Sequence, residues 1–205
     1  MSYLFTNNWF NGAARSVWET LIPQISPSRI LEIGSYEGAS TCFLIELLGQ
    51  IHATEIHCVD TWDGGIEHQS FGVEMKSVEA RFHHNVALAT QKASHQVTLT
   101  IHKGYSDQQL ATLLSTGKRA YFDFIYVDGS HQAPDVLADA VMSFRLLRIG
   151  GIMVLDDYLW EDPSGTQNVL RNPKIAIDAF TTIYSSKLRI LAAPLYQLYI
   201  QKLAD

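Results

Sequence analysis

The order of apolar and polar positions divides the chain into one recurring unit: a short β-branched run, a turn, then a helical stripe. Arg29-Ile30-Leu31-Glu32-Ile33 reads as a first strand closing on Gly34, and Ala39 to Leu48 as a helix stopped by Gly49. Glu55 to Val59 is a second strand. Val97 to His102, with Val97, Leu99 and Ile101 alternating, is a third. Ser106-Asp107-Gln108-Gln109 has capping-box form and opens a helix through Leu114. Phe122 to Val127 is a fourth strand. Pro134 to Leu147 forms a helix with Val136, Ala140, Phe144 and Leu147 on one face, ended by Gly150-Gly151. Ile152 to Leu155 is a fifth strand, followed by a helix near Pro173 to Tyr184. A helix over about Trp9 to Ile22 precedes them all. Trp62–Ser94 and Leu159–Asn172 are the long connections, the kind of segment that forms functional lids.

Strand–helix alternation predicts a parallel sheet with helices on both faces. The last two strands, about Lys187 to Leu191 and Leu195 to Gln201, are separated only by Ala192-Ala193-Pro194. That spacing is too short for a parallel crossover and predicts an antiparallel hairpin at one edge. The expectation is one domain over residues 1–205, with a helical segment at 1–28 and a Rossmann-like core at 29–205.

Composition narrows the classes. With 205 residues, 47% hydrophobic and 18% charged, the chain can build a core without staples. Its net charge of −6 disfavours wrapping nucleic acid. The longest apolar runs are far shorter than a membrane span, and the N-terminus lacks signal-peptide form. Cys42 and Cys58 make no CxxC pair, so both read as buried free thiols, which suits a cytoplasmic setting.

In open α/β sheets, ligands bind beyond the carboxyl ends of the strands. After the first strand come Gly34, Ser35, Tyr36, Glu37 and Gly38, a turn that lets backbone approach a ligand. It is not GxGxxG. Glu32 would repel a pyrophosphate and suits a ligand bearing a positive amino group. After the second strand Asp60 is placed to accept both hydroxyls of a ribose. After the third, Ser106 is a helix cap or an adenine contact. Asp128 follows the fourth strand, and Asp156 and Asp157 follow the fifth. Three carboxylates at one sheet end repel one another, and a hard divalent cation such as Mg²⁺ is the simple remedy. His131, three residues past Asp128, suits a general base. His83 and His84 read as surface or cap residues. Tyr158, Trp160, Trp62 and Phe71 are candidate pocket aromatics.

At Glu32-Ile-Gly-Ser-Tyr-Glu-Gly-Ala-Ser40, Ile125-Tyr-Val-Asp-Gly-Ser-His131 and Gly150-Gly-Ile-Met-Val-Leu-Asp-Asp157, the chain resembles the class I S-adenosylmethionine-dependent methyltransferases. Within them it is similar to the magnesium-dependent small-molecule O-methyltransferases, of the catechol type and of the macrocin and cephalosporin hydroxylase-associated group. The resemblance implies a Rossmann-like fold whose seven-stranded, mostly parallel sheet ends in an antiparallel hairpin. It implies that Glu32, Gly34, Ser35, Tyr36, Gly38 and Ser40 lie about the methionine part of S-adenosyl-L-methionine. Asp60 would hold the ribose, Thr61 and Trp62 would lie beside the adenosine, and Ser106 would lie near the adenine. Asp128, Asp156 and Asp157 would hold the metal, with Asp128 near cofactor and substrate, and His131 would be the base. Asp157 departs from the catechol type, which carries Asn there. The implied substrate is a small hydroxylated compound, and a homo-oligomer stays open. Two other readings also stay open: a non-catalytic S-adenosylmethionine-binding module and an NAD-dependent oxidoreductase. Five of the 21 acidic residues then belong to one sheet rim, so part of the negative charge is a property of the site.

Overall fold

A computed structural model describes residues 2–65, 74–162 and 168–205. The chain divides into two compact units, Met1–Gly104, whose three strands order as β3-β2-β1, and Tyr105–Asp205, whose four strands order as β4-β5-β7-β6.

The first unit holds α1 (Trp9–Ala13), α2 (Arg15–Ile25), β1 (Arg29–Ile33), α3 (Ala39–Leu48), β2 (Thr54–Asp60), α4 (Met75–Lys92) and β3 (Val97–Lys103). β1 and β2 pair in parallel from Arg29↔Glu55 to Ile33↔Val59, and β2 and β3 from Thr54↔Val97 to Asp60↔Lys103. The expected single N-terminal helix is two, meeting at Ala14. Trp18 and Ile22 carry the buried face of α2. The largest departure from the sequence reading is α4, 18 residues within what the pattern read as a connection. Its buried face is Val78, Phe82, Val86 and Ala89, a helical stripe interrupted by the buried amide of Asn85.

The second unit holds α5 (Ser106–Ser115), β4 (Phe122–Val127), α6 (Ala133–Leu146), β5 (Leu147–Leu155), a 3₁₀ turn at Val169–Arg171, α7 (Pro173–Ile183), β6 (Leu188–Leu191) and β7 (Leu198–Lys202). β4 is buried along its whole length, as a central parallel strand should be. β4 and β5 pair in parallel, and β7 runs antiparallel to both β5 and β6. The predicted hairpin is therefore present, joined by residues 192–197 rather than by three.

Gly150 and Gly151 do not stop the helix. α6 ends at Leu146, and Leu147 is already extended (φ −72°, ψ 132°). Leu146 and Leu147 are both fully buried, so the chain passes directly from helix to strand. Gly150 (φ +80°) sits in the irregular entry of β5, where Arg148, Ile149 and Gly150 are exposed. A Cβ on Gly151 would lie 2.8 Å from Leu147 Cδ1 and 3.0 Å from the Asp123 carbonyl. No described helix is long and apolar enough to cross a membrane.

Candidate active-site residues

In the first unit the turn from β1 into α3 is held from several sides. Gly34 and Gly38 adopt φ +87° and +79°, and Tyr36 adopts φ +46° without a glycine's freedom. The Tyr36 N–H donates to Asp60 Oδ2 (2.8 Å), and the Trp62 N–H to Asp60 Oδ1 (2.7 Å). The Trp62 indole Nε1–H closes the ring on the Tyr36 carbonyl (2.9 Å). Asp60 is thus an acceptor of fixed orientation at the end of β2. Thr61 Oγ1 accepts the Asp63 N–H at 3.0 Å. Trp62 is 4% exposed and packs 4.9 Å from the Phe82 ring, so it is mostly wall and little surface.

Glu32 has no exposed surface. Its two carboxylate oxygens accept the hydroxyls of Ser40 and Thr41, the second and third residues of α3. Burial pushes its pKa up, and the Ser40, Thr41 and Ser35 hydroxyls pull it part of the way back. The carboxyl therefore fixes how α3 leaves the strand. Ser35 and Ser40 are themselves buried. Cys42 and Cys58 are free buried thiols whose pKa values burial raises.

In the second unit β4 and β5 end side by side, with Val127 in register with Leu155. Asp128 and Asp156 follow directly. The two carboxylates share one protein donor: the single proton of the buried Tyr126 hydroxyl lies within reach of Asp128 Oδ2 (2.9 Å) and of Asp156 Oδ2. Gln197 Nε2 is a second donor to Asp156 (2.7 Å), and the Asp157 N–H, donating to Asp156 Oδ1 (2.7 Å), is a third. Burial first, then the charge of Asp157, pushes the Asp156 pKa up to about 6. The Tyr126 phenol is pushed up by burial and by both carboxylates.

His131 Nε2 lies 2.8 Å from Asp157 Oδ2, with the two side chains 18% and 15% exposed. An ionised carboxylate only accepts hydrogen bonds, so Nε2 carries the proton in neutral His131 and Nδ1 is the basic nitrogen. The Trp160 ring stands 4.1 Å from the imidazole. Asp157 itself adopts φ +57°, which aims its carboxylate away from the line of the strand.

Three hard carboxylates have the donor chemistry of a magnesium site. Their arrangement does not: among the described residues no three His, Cys, Asp or Glu side chains are grouped to hold a metal ion. Asp156 spends its oxygens on Tyr126, Gln197 and the Asp157 amide, and Asp157 faces His131. The expected cation at Asp128, Asp156 and Asp157 is not supported by this geometry, and no chemical step is routed through it.

Ser106 does not cap α5. Tyr105 is the cap residue, and Ser106 opens the helix with its hydroxyl bonded to the Asp139 carboxyl of α6. Of the candidate pocket aromatics, Trp160 lies against the base, while the Tyr158 hydroxyl is tied to Asp178 on α7 (2.7 Å). Phe71 lies outside the described residues. The sequence reading missed four participants: Tyr126 and Gln197, which look like ordinary strand and hairpin residues, Glu37 within the β1–α3 turn, and Asn85, which bonds that turn from α4. A Tyr two residues before Asp128 at a strand end was the available signal for the first.

Comparison with known proteins agrees with this architecture. A family model described as a methyltransferase domain matches residues 31–158, more than half of the chain. No curated protein sequence matches. The O-methyltransferase TomG from Streptomyces achromogenes, involved in tomaymycin synthesis and solved with SAM, superposes with a TM-score of 0.63 at 17% identity, over 92% of this chain and 78% of that one. An O-methyltransferase from Bacillus cereus solved with SAH gives 0.61 at 18%, over 91% and 79%. A candidate O-methyltransferase from Klebsiella pneumoniae gives 0.65 at 18%, over 94% and 81%. At these identities the likeness carries the fold.

Proposed function

The chain belongs to the methyltransferase family whose model covers residues 31–158, and from that premise we propose that it moves a methyl group from S-adenosylmethionine to a hydroxyl oxygen of a small compound. The observation that carries the reading is the His131–Asp157 pair at the ends of β4 and β5, a base with its orienting carboxylate. The O-methyltransferase neighbours support oxygen as the acceptor, and those solved with SAM or SAH support the methyl donor.

When bound, the cofactor supplies a methyl group on a positive sulfonium, ready for in-line displacement. The protein's part is to bind, orient and deprotonate. Asp60, pinned by two backbone N–H groups, accepts the ribose hydroxyls. Gly34 and Gly38 give the turn its left-handed backbone, and Glu32 sets the angle of α3 beneath it. Thr61 and Trp62 flank the nucleoside. His131 Nδ1, itself buried in the structure, is the nitrogen to take the substrate hydroxyl proton, while Asp157 holds the imidazolium that forms. Bound S-adenosylmethionine would supply the methyl group and keep the displaced electron pair on sulfur, while His131 and Asp157 would hold the proton that the hydroxyl gives up. A non-catalytic module would have no use for an oriented base at this position.

Titration calorimetry with S-adenosylmethionine and S-adenosylhomocysteine tests the binding half. Wild type gives saturable heat, and Asp60→Ala weakens it. Wild type without a binding isotherm for either compound sinks the proposal.

A further inference from the structure

Glu37 has no role in the methyl transfer itself, yet it is 2% exposed and sits inside the turn that includes Gly34, Tyr36 and Gly38. A buried carboxylate costs several kcal/mol unless donors surround it. Its donors come from far along the chain. Thr6 donates twice, by its N–H to Oε2 (2.7 Å) and by its hydroxyl to Oε1 (2.7 Å). Arg81 Nε on α4 donates to Oε1 (2.6 Å). The Asn85 amide then ties both partners together: Nδ2 donates to the Glu37 carbonyl (2.9 Å), while Oδ1 accepts the Leu4 N–H (2.7 Å). Just beyond that segment, the ring of Trp9, the first residue of α1, stands 5.3 Å from the ring of Tyr36.

Two of the three donors to the Glu37 carboxylate thus belong to one residue of an extended segment that precedes the first helix. If that segment leaves, a carboxylate buried in the turn keeps only Arg81. The turn and the segment are stable together and less stable apart. The next residue back, Tyr36, is the one whose strained backbone presents its N–H to Asp60.

We propose that Glu37 is a positioning residue for the cofactor: it latches residues 3–6 onto the β1–α3 turn and so holds Tyr36 and Asp60 in their binding arrangement. The inference rests on the reading of that turn and Asp60 as the S-adenosylmethionine site.

The test compares wild type, Glu37→Gln, Thr6→Val and the double variant. Thr6 is exposed, so Thr6→Val loosens the latch without a change in the core. Amide exchange at Thr6 reports the latch itself. Steady-state kinetics and calorimetry report its effect on the cofactor. Each single variant speeds Thr6 exchange and raises the cofactor KM and Kd about tenfold, within the usual span of coupling between sites. kcat at saturating cofactor moves less than KM, and the two substitutions are not additive because they break one contact. A purely structural role would instead lower kcat through loss of folded enzyme and leave KM alone. Faster Thr6 exchange with unchanged cofactor affinity overturns the latch. Failure of wild type to bind the cofactor overturns the underlying site reading instead, and Thr6 exchange still separates the two.

Discussion

Asp139 gives the sharpest physical test of the second unit. It lies on α6, 2% exposed, and its Oδ1 has no hydrogen-bond partner among the described residues. Burial pushes its carboxyl from the ordinary 3.8 up to about 7; the Ser106 hydroxyl opposes this, and the charges of Asp135 and Asp107 add to it. Below pH ~4 the folded and unfolded carboxyls both hold the proton, and the group is neutral in its effect on stability. As pH rises from there, the unfolded carboxyl ionises while the folded one stays protonated, so the native state binds more protons and stability falls. The fall is complete once the folded carboxyl ionises above pH ~7, and a shift of this size corresponds to about 4 kcal/mol. Asn cannot ionise, so Asp139→Asn removes the dependence, whatever constant packing cost it adds. Urea unfolding of both proteins at pH 5 and pH 8 isolates the effect. The stability of the variant relative to wild type should improve by about 2–3 kcal/mol between those two pH values. A difference that stays flat across that range refutes the placement of Asp139 as a buried, proton-holding acid.

Gly38→Ala should destabilise the fold by about 2 kcal/mol, since the left-handed conformation alone costs an L-residue 1–2 kcal/mol. The added Cβ would also meet Phe82 Cδ2 at 3.0 Å and Val86 Cγ1 at 3.3 Å. Chemical denaturation measures the loss, and a change within about 0.5 kcal/mol, the scatter of ordinary surface substitutions, would show that the turn relaxes freely. Because Tyr126, Gln197 and His131 already engage the carboxylates, methyl transfer should survive EDTA. Activity lost to the chelator and restored by Mg²⁺ would mean that Asp128, Asp156 and Asp157 regroup around a cation.

Local pattern carried the parallel strands and most helices. β1, α3 and β4 have the bounds expected, because each is a contiguous apolar run or stripe that closes on a turn residue. α4 was lost because Asn85 breaks its stripe, and Asn85 is buried there to hold Leu4 and the Glu37 carbonyl. The start of β5 was misplaced, at Ile152 instead of Leu147, because glycine is usually a stop signal, whereas here a fully buried Leu146-Leu147 step turns helix into strand. The carboxylates and the base were legible as residues, since each follows a strand end. Their partners were not, since they depend on contacts between distant positions. Tyr126 and Asp156 are 30 residues apart, Gln197 and Asp156 41, and Thr6 and Glu37 31. The donors that a phenol and a carboxamide bring to Asp128 and Asp156 were not legible for the same reason.

Methyl transfer itself is the direct measurement. S-adenosylmethionine carrying a tritiated methyl group, offered with a panel of sugars, phenols and polyketide alcohols, should yield a labelled O-methyl ether with wild type. His131→Ala should bind the cofactor with unchanged affinity and lose turnover by about 10²-fold or more, the usual scale for a missing general base. An enzyme that labels its acceptor equally well without His131, or that places the label on nitrogen or carbon, would contradict the account.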